Sequence, residues 1–291
     1  MQGWHVGAVN ILRLIESEDT SMEARFMLPD ATPENVLPID WLRPHFVTED
    51  GQLISAIFSL LIESCGKKIV VDTCVGNDKP RAVPQWNKKQ SNFLHRMATL
   101  GFPRESVDYV VCTHLHPDHV GWNTMLVGDE WKPTFPNARY MFSKADWAWL
   151  EKAEVTPLGD YAGDSVKPVI SAGLAEIYTP GYQLTDEVSL VSTPGHSPGH
   201  ISVAIESCGE KAFITGDVMH HPAQIARPEW RSPFDFDGDA AESTRHDVLR
   251  QQAADKALVI GSHFATPSAG YIVPDEDQDD NKYRFDVDFG D

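Results

Sequence analysis

No apolar run in this 291-residue chain approaches the roughly 20 residues that a membrane-spanning helix needs. Cationic residues are scarce: 24 Lys and Arg stand against 43 Asp and Glu, for a net charge of −19. Such a surface repels phosphate backbones and anionic lipids, which argues against nucleic-acid and membrane partners. Cysteine is scarce too. None of Cys65, Cys74, Cys112 and Cys208 forms a Cys-x-x-Cys pair or lies beside histidines at ligand spacing. The expectation is buried, reduced thiols in a cytoplasmic protein. Residues 1–13 lack the charged start, apolar run and small-residue cleavage site of a secretory leader, with a leader removed beforehand left open. There is no internal repeat and no low-complexity stretch. What remains is ordinary globular composition, 42% hydrophobic and 23% charged, in a chain long enough to bury a core without staples.

Hydrophobic patterning places the elements. Residues 6–15 read as a strand. Residues 16–50 are rich in Pro, Glu and Asp and read as a loop-rich N-terminal segment with short helical turns, open to capping a pocket or packing against a second subunit of a homodimer. Residues 54–63 and 68–72 read as two strands joined by Ser64-Cys65-Gly66-Lys67. Helical spacing covers 87–100, with Phe93, Leu94, Met97 and Leu100 on one face. Further strands are expected at 107–112, 139–142, 188–192, 201–206, 211–215 and 257–260, and helices at 144–152 and 243–255. The nearly all-acidic run 275–280 opens an acidic C-terminal tail, 275–291. Strands early and late with helices interspersed imply an α/β (α+β) fold in which two sheets pack face to face under helices. No linker divides the chain, so 1–291 is expected to be one domain.

The histidines are not spread evenly. Eight of the twelve sit in four short stretches, each after an expected strand. Thr113-His114-Leu115-His116-Pro117-Asp118-His119 holds three imidazoles and a carboxylate within six residues. In an apolar core that density is costly without a partner. A loop leaving a strand can turn His114 and His116 toward one point and Asp118 and His119 toward a second. Nitrogen and oxygen ligands of this kind suit zinc, and also iron, manganese or cobalt. In Thr193-Pro194-Gly195-His196-Ser197-Pro198-Gly199-His200 a Gly/Pro turn presents His196 rigidly. Thr215-Gly216-Asp217 and Gly261-Ser262-His263 end two further strands, and a carboxylate such as Asp217 can bridge two cations. His5, His45, His95 and His246 have no such company and read as structural.

His114-x-His116-x-Asp118-His119, followed by His196, Asp217 and His263, resembles the metallo-β-lactamase-fold hydrolase superfamily, in order and spacing, across roughly residues 50 to 265. The resemblance implies a four-layer αββα sandwich with metals at one edge. It implies that His114, His116 and His196 hold one metal, that Asp118, His119 and His263 hold another, and that Asp217 bridges them. It also matches Asp72 to an early aspartate that orients a ligand histidine.

Within the superfamily, zinc β-lactamases carry cysteine or serine where Asp217 stands. Nucleases usually add a domain and a basic surface, glyoxalase II a C-terminal helical region, and di-iron redox members a glutamate where His116 stands. The chain departs from all four. Acyl-homoserine lactonases of this fold have a tyrosine three residues after the bridging aspartate, and His220 occupies that place here. His220, with Val120-Gly121-Trp122-Asn123, resembles the quorum-quenching lactonase and methyl parathion hydrolase-like branch. The implied reaction is attack on a lactone or ester carbonyl by hydroxide bridging two zinc ions, which lower the pKa of bound water. His220 would donate to the substrate oxygen, and Asp118 would carry a proton to the leaving group. The alternatives are a phosphotriesterase or aryl esterase, then a thioesterase, a β-lactamase or a non-hydrolytic redox protein. Trp122, Phe264, Trp86 and Trp230 are candidates for an apolar wall around a small-molecule lactone or ester. His200 and His221 read as structural.

Overall fold

The computed structural model describes residues 2–20, 24–152, 159–179, 181–275 and 282–287. The chain opens with the hairpin β1 (Gln2–Val6) and β2 (Val9–Asp19), then α1 (Ala24–Met27) and α2 (Pro33–Val36). There follow β3 (Ser55–Ser64), β4 (Lys67–Val71), α3 (Phe93–Thr99), β5 (Tyr109–Val111) and α4 (Pro117–Val120). The hairpin β6 (Thr124–Val127) and β7 (Glu130–Pro133) precedes β8 (Arg139–Ser143), α5 (Lys144–Leu150), α6 (Tyr161–Ser165), α7 (Lys167–Ser171) and β9 (Ala175–Tyr178). The second half supplies β10 (Tyr182–Gln183), β11 (Val188–Ser192), β12 (Ile201–Ser207), β13 (Glu210–Ile214), α8 (Ala223–Ala226), α9 (Gly238–Asp255), β14 (Leu258–Ile260), β15 (Ala269–Pro274) and β16 (Tyr283–Asp286).

Among the described residues these strands form two seven-stranded sheets, ordered β1-β2-β3-β4-β5-β8-β9 and β10-β11-β12-β13-β14-β15-β16, with β6-β7 separate. Side-chain alternation sorts each strand between layers. Ile69 and Val71 of β4 face the space between the sheets, where they meet Val203, Ile214 and Ile260, while Val70 faces the helix layer with Phe93 and Met97. In the second sheet Ala212 and Ile214 point inward, whereas Phe213 and Val259 pack outward against Val248, Leu249 and Ile225. Strands buried on both faces read as continuous apolar runs. That is why β4, β5, β13 and β14 stand out in the sequence. The result is the αββα layering that the resemblance implies.

Several expectations are corrected. The strand expected at 6–15 is a hairpin broken at Gly7, whose φ of 56° suits a tight turn. β2 then runs on to Asp19, so the loop-rich segment begins later than residue 16. The helix expected from 87 starts only at Phe93. Asn77 explains this: its Oδ1 accepts from Ser91 N and Oγ, and its Nδ2 donates to Ser91 O, bonds that compete with helical ones. Cys65 and Cys208 lie exposed in hairpin turns, and only Cys74 and Cys112 are buried. Of the acidic tail, 276–281 and 288–291 lie outside the described residues. Tyr283–Asp286 is not tail but strand, paired with β15 and burying Phe285. No helix among the described residues is long and apolar enough to cross a membrane.

One edge of the sandwich collects the strand ends that matter. β4 and β5 are parallel, as are β13 and β14. β11 and β13 both run antiparallel to β12, so they too point the same way. The sheets are tied at this edge by Ala56 N donating to His263 O at 3.0 Å and by a bridge between Ser55 and Phe264.

Candidate metal centre

The loops leaving β5, β11, β13 and β14 bring the seven sequence-predicted ligands together. His196 Nε2 lies 3.2 Å from His114 Nε2 and 3.0 Å from His116 Nδ1. His119 Nε2 lies 3.2 Å from His263 Nε2, and Asp118 Oδ2 is 3.8 and 3.6 Å from those two nitrogens. Asp217 stands between the groups. Its Oδ1 is 3.4 Å from His119 Nε2, and its Oδ2 is 3.3 Å from His263 Nε2 and 3.6 Å from His196 Nε2.

These spacings test the fit of a metal. Nitrogens bound to zinc at roughly 2.0–2.1 Å in a tetrahedron lie roughly 3.3 Å apart. The imidazole pairs match that spacing, and rings whose Nδ1 already donates elsewhere, as in His119 and His263, when neutral turn toward each other lone pairs that a cation between them would accept. Asp217 Oδ1 is buried without a hydrogen-bond partner, and so are both ring nitrogens of His220. Imidazole and carboxylate are donors that zinc accepts. The trios His114, His116, His196 and Asp118, His119, His263 each converge tightly enough to hold an ion.

The opposite ring nitrogens are tied down, which fixes which nitrogen faces the centre. His119 Nδ1 donates to Asp72 Oδ2 at 2.9 Å, and His263 Nδ1 to Ala56 O at 3.0 Å. His114 Nδ1 meets Thr113 Oγ1 at 3.1 Å, and that hydroxyl donates to Asp72 Oδ2 at 2.9 Å. Asp72 Oδ1 also accepts from Thr113 N at 2.8 Å. Asp72 therefore serves both groups, from a backbone φ of 56° that aspartate tolerates. His196 Nδ1 donates to Asp235 Oδ1 at 3.0 Å. Nothing in Phe234-Asp235-Phe236 signalled that role, because Asp235 belongs to no histidine cluster. Asp146 was missed for the same reason. From α5 it accepts from Ser197 Oγ at 2.9 Å and Gly199 N at 2.6 Å, fastening the turn that presents His196. Burial, opposed by those bonds, pushes its carboxyl up to about 6.

His200 holds Asp217 through its backbone. Its Nδ1 donates to Thr193 O at 3.0 Å, leaving Nε2 to accept from Asp217 N at 2.8 Å. Burial drops its pKa to about 4, so the ring stays neutral and keeps that lone pair. His221 Nε2 donates to Phe46 O at 2.8 Å, away from the centre.

The electrostatics suit a cation. Burial pulls His114 and His196 well below the ordinary histidine range. Burial also opposes charge on His119 and His263, but Asp217, with Asp118, outweighs it and lifts both. Burial disfavours ionised Asp217, yet His263, His119 and His114 hold its carboxyl far below the usual range. A site arranged this way would release protons on taking up a metal.

A pocket opens on this centre. Its walls are Phe26, Met27, Trp86 and Phe234, and its floor includes His116, Asp118, Asp217 and His220. Phe26 from α1 meets Phe234 edge-on, with centroids 4.9 Å apart. His220 faces the centre, with Nε2 3.5 Å from Asp217 Oδ2 and its backbone N–H donating to Gln224 Oε1 at 2.7 Å. Burial lowers its pKa to about 3, so it is neutral. Of the four wall candidates, only Trp86 lines the pocket. Trp122 is buried in the helix-layer core, stacked on Phe93, and Phe264 packs between Phe46 and Phe285. Trp230 is core as well. These three rings sit in sequence beside site residues but point away from them. Phe26, Met27 and Phe234 escaped notice because they come from segments without periodicity.

Comparison with known proteins adds the lineage. An N-acyl homoserine lactonase of Bacillus sp is 25% identical over 241 residues, covering 77% of this chain and 87% of that protein. Another from Bacillus cereus is 29% identical over 178 residues, and this chain spans 62% of its length. Among solved structures, AidC, a dizinc quorum-quenching lactonase in complex with a product, superposes with a TM-score of 0.78 at 20% identity, covering 100% of this chain and 98% of that one. The hydrolase AbOPH of the beta lactamase superfamily does so with a TM-score of 0.78 at 23% identity, with the same coverage. At such identities the structural likeness speaks for the fold alone. Residues 55–263 match the family described as the Metallo-beta-lactamase superfamily, a span that holds all seven residues gathered here, and the chain therefore belongs to that superfamily of hydrolases.

Proposed function

We propose that the chain is a dinuclear zinc hydrolase that opens lactones of the N-acyl homoserine type. His114, His116 and His196 would hold one ion and Asp118, His119 and His263 the other, with Asp217 shared. When bound, such a pair supplies an activated water and polarises the carbonyl under attack. The chain's own groups do the rest. Phe26, Met27, Trp86 and Phe234 take the apolar acyl group and exclude water around the ester. Neutral His220 donates a hydrogen bond from its ring N–H to the carbonyl oxygen as charge develops there. Asp118, half-buried at the pocket floor, takes the proton given up by the attacking water and passes it to the leaving alkoxide.

The observation that carries this reading is the pairing, in one pocket, of the Asp217-centred cluster with walls that contain no charged side chain. The 25%-identical lactonase relative supports it independently. A second reading, hydrolysis of aryl esters or phosphotriesters, is favoured by the aromatic walls Trp86 and Phe234, which suit an aryl leaving group.

The test is ring opening of a long-chain acyl-homoserine lactone by purified protein, followed by pH change. Turnover that disappears on chelation and returns with zinc is expected. Protein loaded with two ions but inert on this lactone and active on an aryl phosphotriester would replace the first reading with the second.

A further inference from the structure

Glu16 is a buried carboxylate that the reaction above does not use. β2 is bulged here: Ile15 pairs with Phe58 and Ser17 with Ile57, so Glu16 is the extra residue. A bulge redirects a side chain, and the Glu16 side chain has no exposed surface. Inside, Oε2 accepts from Val75 N at 3.0 Å, and Oε1 accepts from Gly76 N at 3.2 Å and Trp122 Nε1 at 2.9 Å. Lys89 Nζ lies 3.9 Å away and partly balances the charge.

The three donors belong to two segments that flank the metal centre. One runs from Asp72 through Gly76, and the other from His119 through Trp122. They are zipped backbone to backbone. Thr73 N donates to His119 O at 2.8 Å, Gly121 N to Cys74 O at 2.7 Å and Trp122 N to Thr73 O at 2.8 Å. The approach is so close that a Cβ at Gly121 would collide with the Val75 carbonyl. Glu16 clamps the far end of this zipper, and Asp72 grips the His119 ring at its near end.

The two metal positions depend on the zipper unequally. His196 sits on the other sheet and is held by Asp235, while His114 reaches Asp72 only through Thr113, whose carbonyl is independently pinned to β12 by Ile201 N at 2.9 Å. His119 has its carbonyl and its ring held by Thr73 and Asp72. We infer that Glu16 is a positioning residue for the metal held by Asp118, His119 and His263, acting through the zipped segments 72–76 and 119–122. This rests on the dinuclear reading above.

The experiment titrates cobalt(II) into the metal-stripped full-length chain, following the visible absorption bands of each bound ion and the number bound. Wild type is expected to bind two. Glu16→Gln places an amide N–H against donors, so it should bind one ion as wild type does and the second at least roughly tenfold more weakly, within the range for groups that orient ligands. Trp122→Phe keeps the stack on Phe93 and removes one donor, so a smaller shift in the same direction is expected. It keeps the inference testable should Glu16→Gln fail to fold. Two ions in wild type with an unchanged affinity ratio in the folded variants, or an equal loss of both, would overturn the role given to Glu16. A wild type that cannot hold two ions would remove the dinuclear reading and this inference with it.

Discussion

At the scale of single residues, the reading proposed above gives the seven clustered residues and His220 different jobs. His220 Nε2 is 3.5 Å from Asp217 Oδ2, close enough to His196 and Asp217 for the three to be read as another ion-binding trio. Its place in the pocket favours contact with substrate instead, because the two trios proposed above would already supply six ligands beside Asp217. The distinction is measurable. His220→Phe should retain two equivalents of zinc by elemental analysis and lose roughly a hundredfold in kcat, as when one oxyanion donor is removed. Loss of one zinc with the activity would make His220 a ligand. The convergence of the seven was legible because six of them lie in strand-end clusters dense in histidine and aspartate, which are costly to bury without a partner. Asp235 and Asp146 were not. A residue that orients a ligand needs only a carboxylate at the right point in space, and Asp235 arrives from a loop 39 residues beyond the His196 it holds.

At the scale of elements, what presents the ligands is the junction between a strand and its turn. Gly216 is the clearest case. It follows β13 with a φ of 56°, and a Cβ there would stand 2.6 Å from His200 Nε2 and 3.0 Å from Thr113 Cβ. Gly216→Ala should therefore strain the backbone by more than about 1 kcal/mol and push His200 off the Asp217 amide. The expected result is folded protein by circular dichroism with a lower melting point, weakened zinc binding and little activity. Full activity would show that the turn adapts and that the His200 bond does not position Asp217. Elements buried on both faces were easy to foresee, and β11 was foreseen to the residue. The β6-β7 hairpin was not, since Leu126 and Val127 are exposed and the pair carries little core signal. α6 and α7, of five residues each, are too short for helical periodicity to register. The late start of α3 turned on Asn77, a residue 16 positions upstream of Phe93, and no local window contains it.

At the scale of the whole molecule, the centre joins two sheets. His114, His116, Asp118 and His119 follow β5 of the first sheet, while His196, Asp217 and His263 follow β11, β13 and β14 of the second. Each ion would take ligands from both, so metal should act on folding as well as on catalysis. In the apo protein the protons that Asp217 holds on His119 and His263 stand where a cation would, and metal binding would release them. A ligand that binds the folded state alone stabilises it by roughly 4 kcal/mol at a thousandfold excess over Kd. In a chain of this size that amounts to on the order of 10 °C in melting temperature. Chelated protein should therefore melt on the order of 10 °C below zinc-loaded protein in differential scanning calorimetry, and Asp217→Ala, left with the two trios but no shared carboxylate, should show a smaller difference. Equal melting of loaded and chelated wild type would mean that the sheets hold the centre in place unaided. The hydrophobic layer between them, from Ile69 and Val71 to Ile214 and Ile260, would then be what sets its geometry.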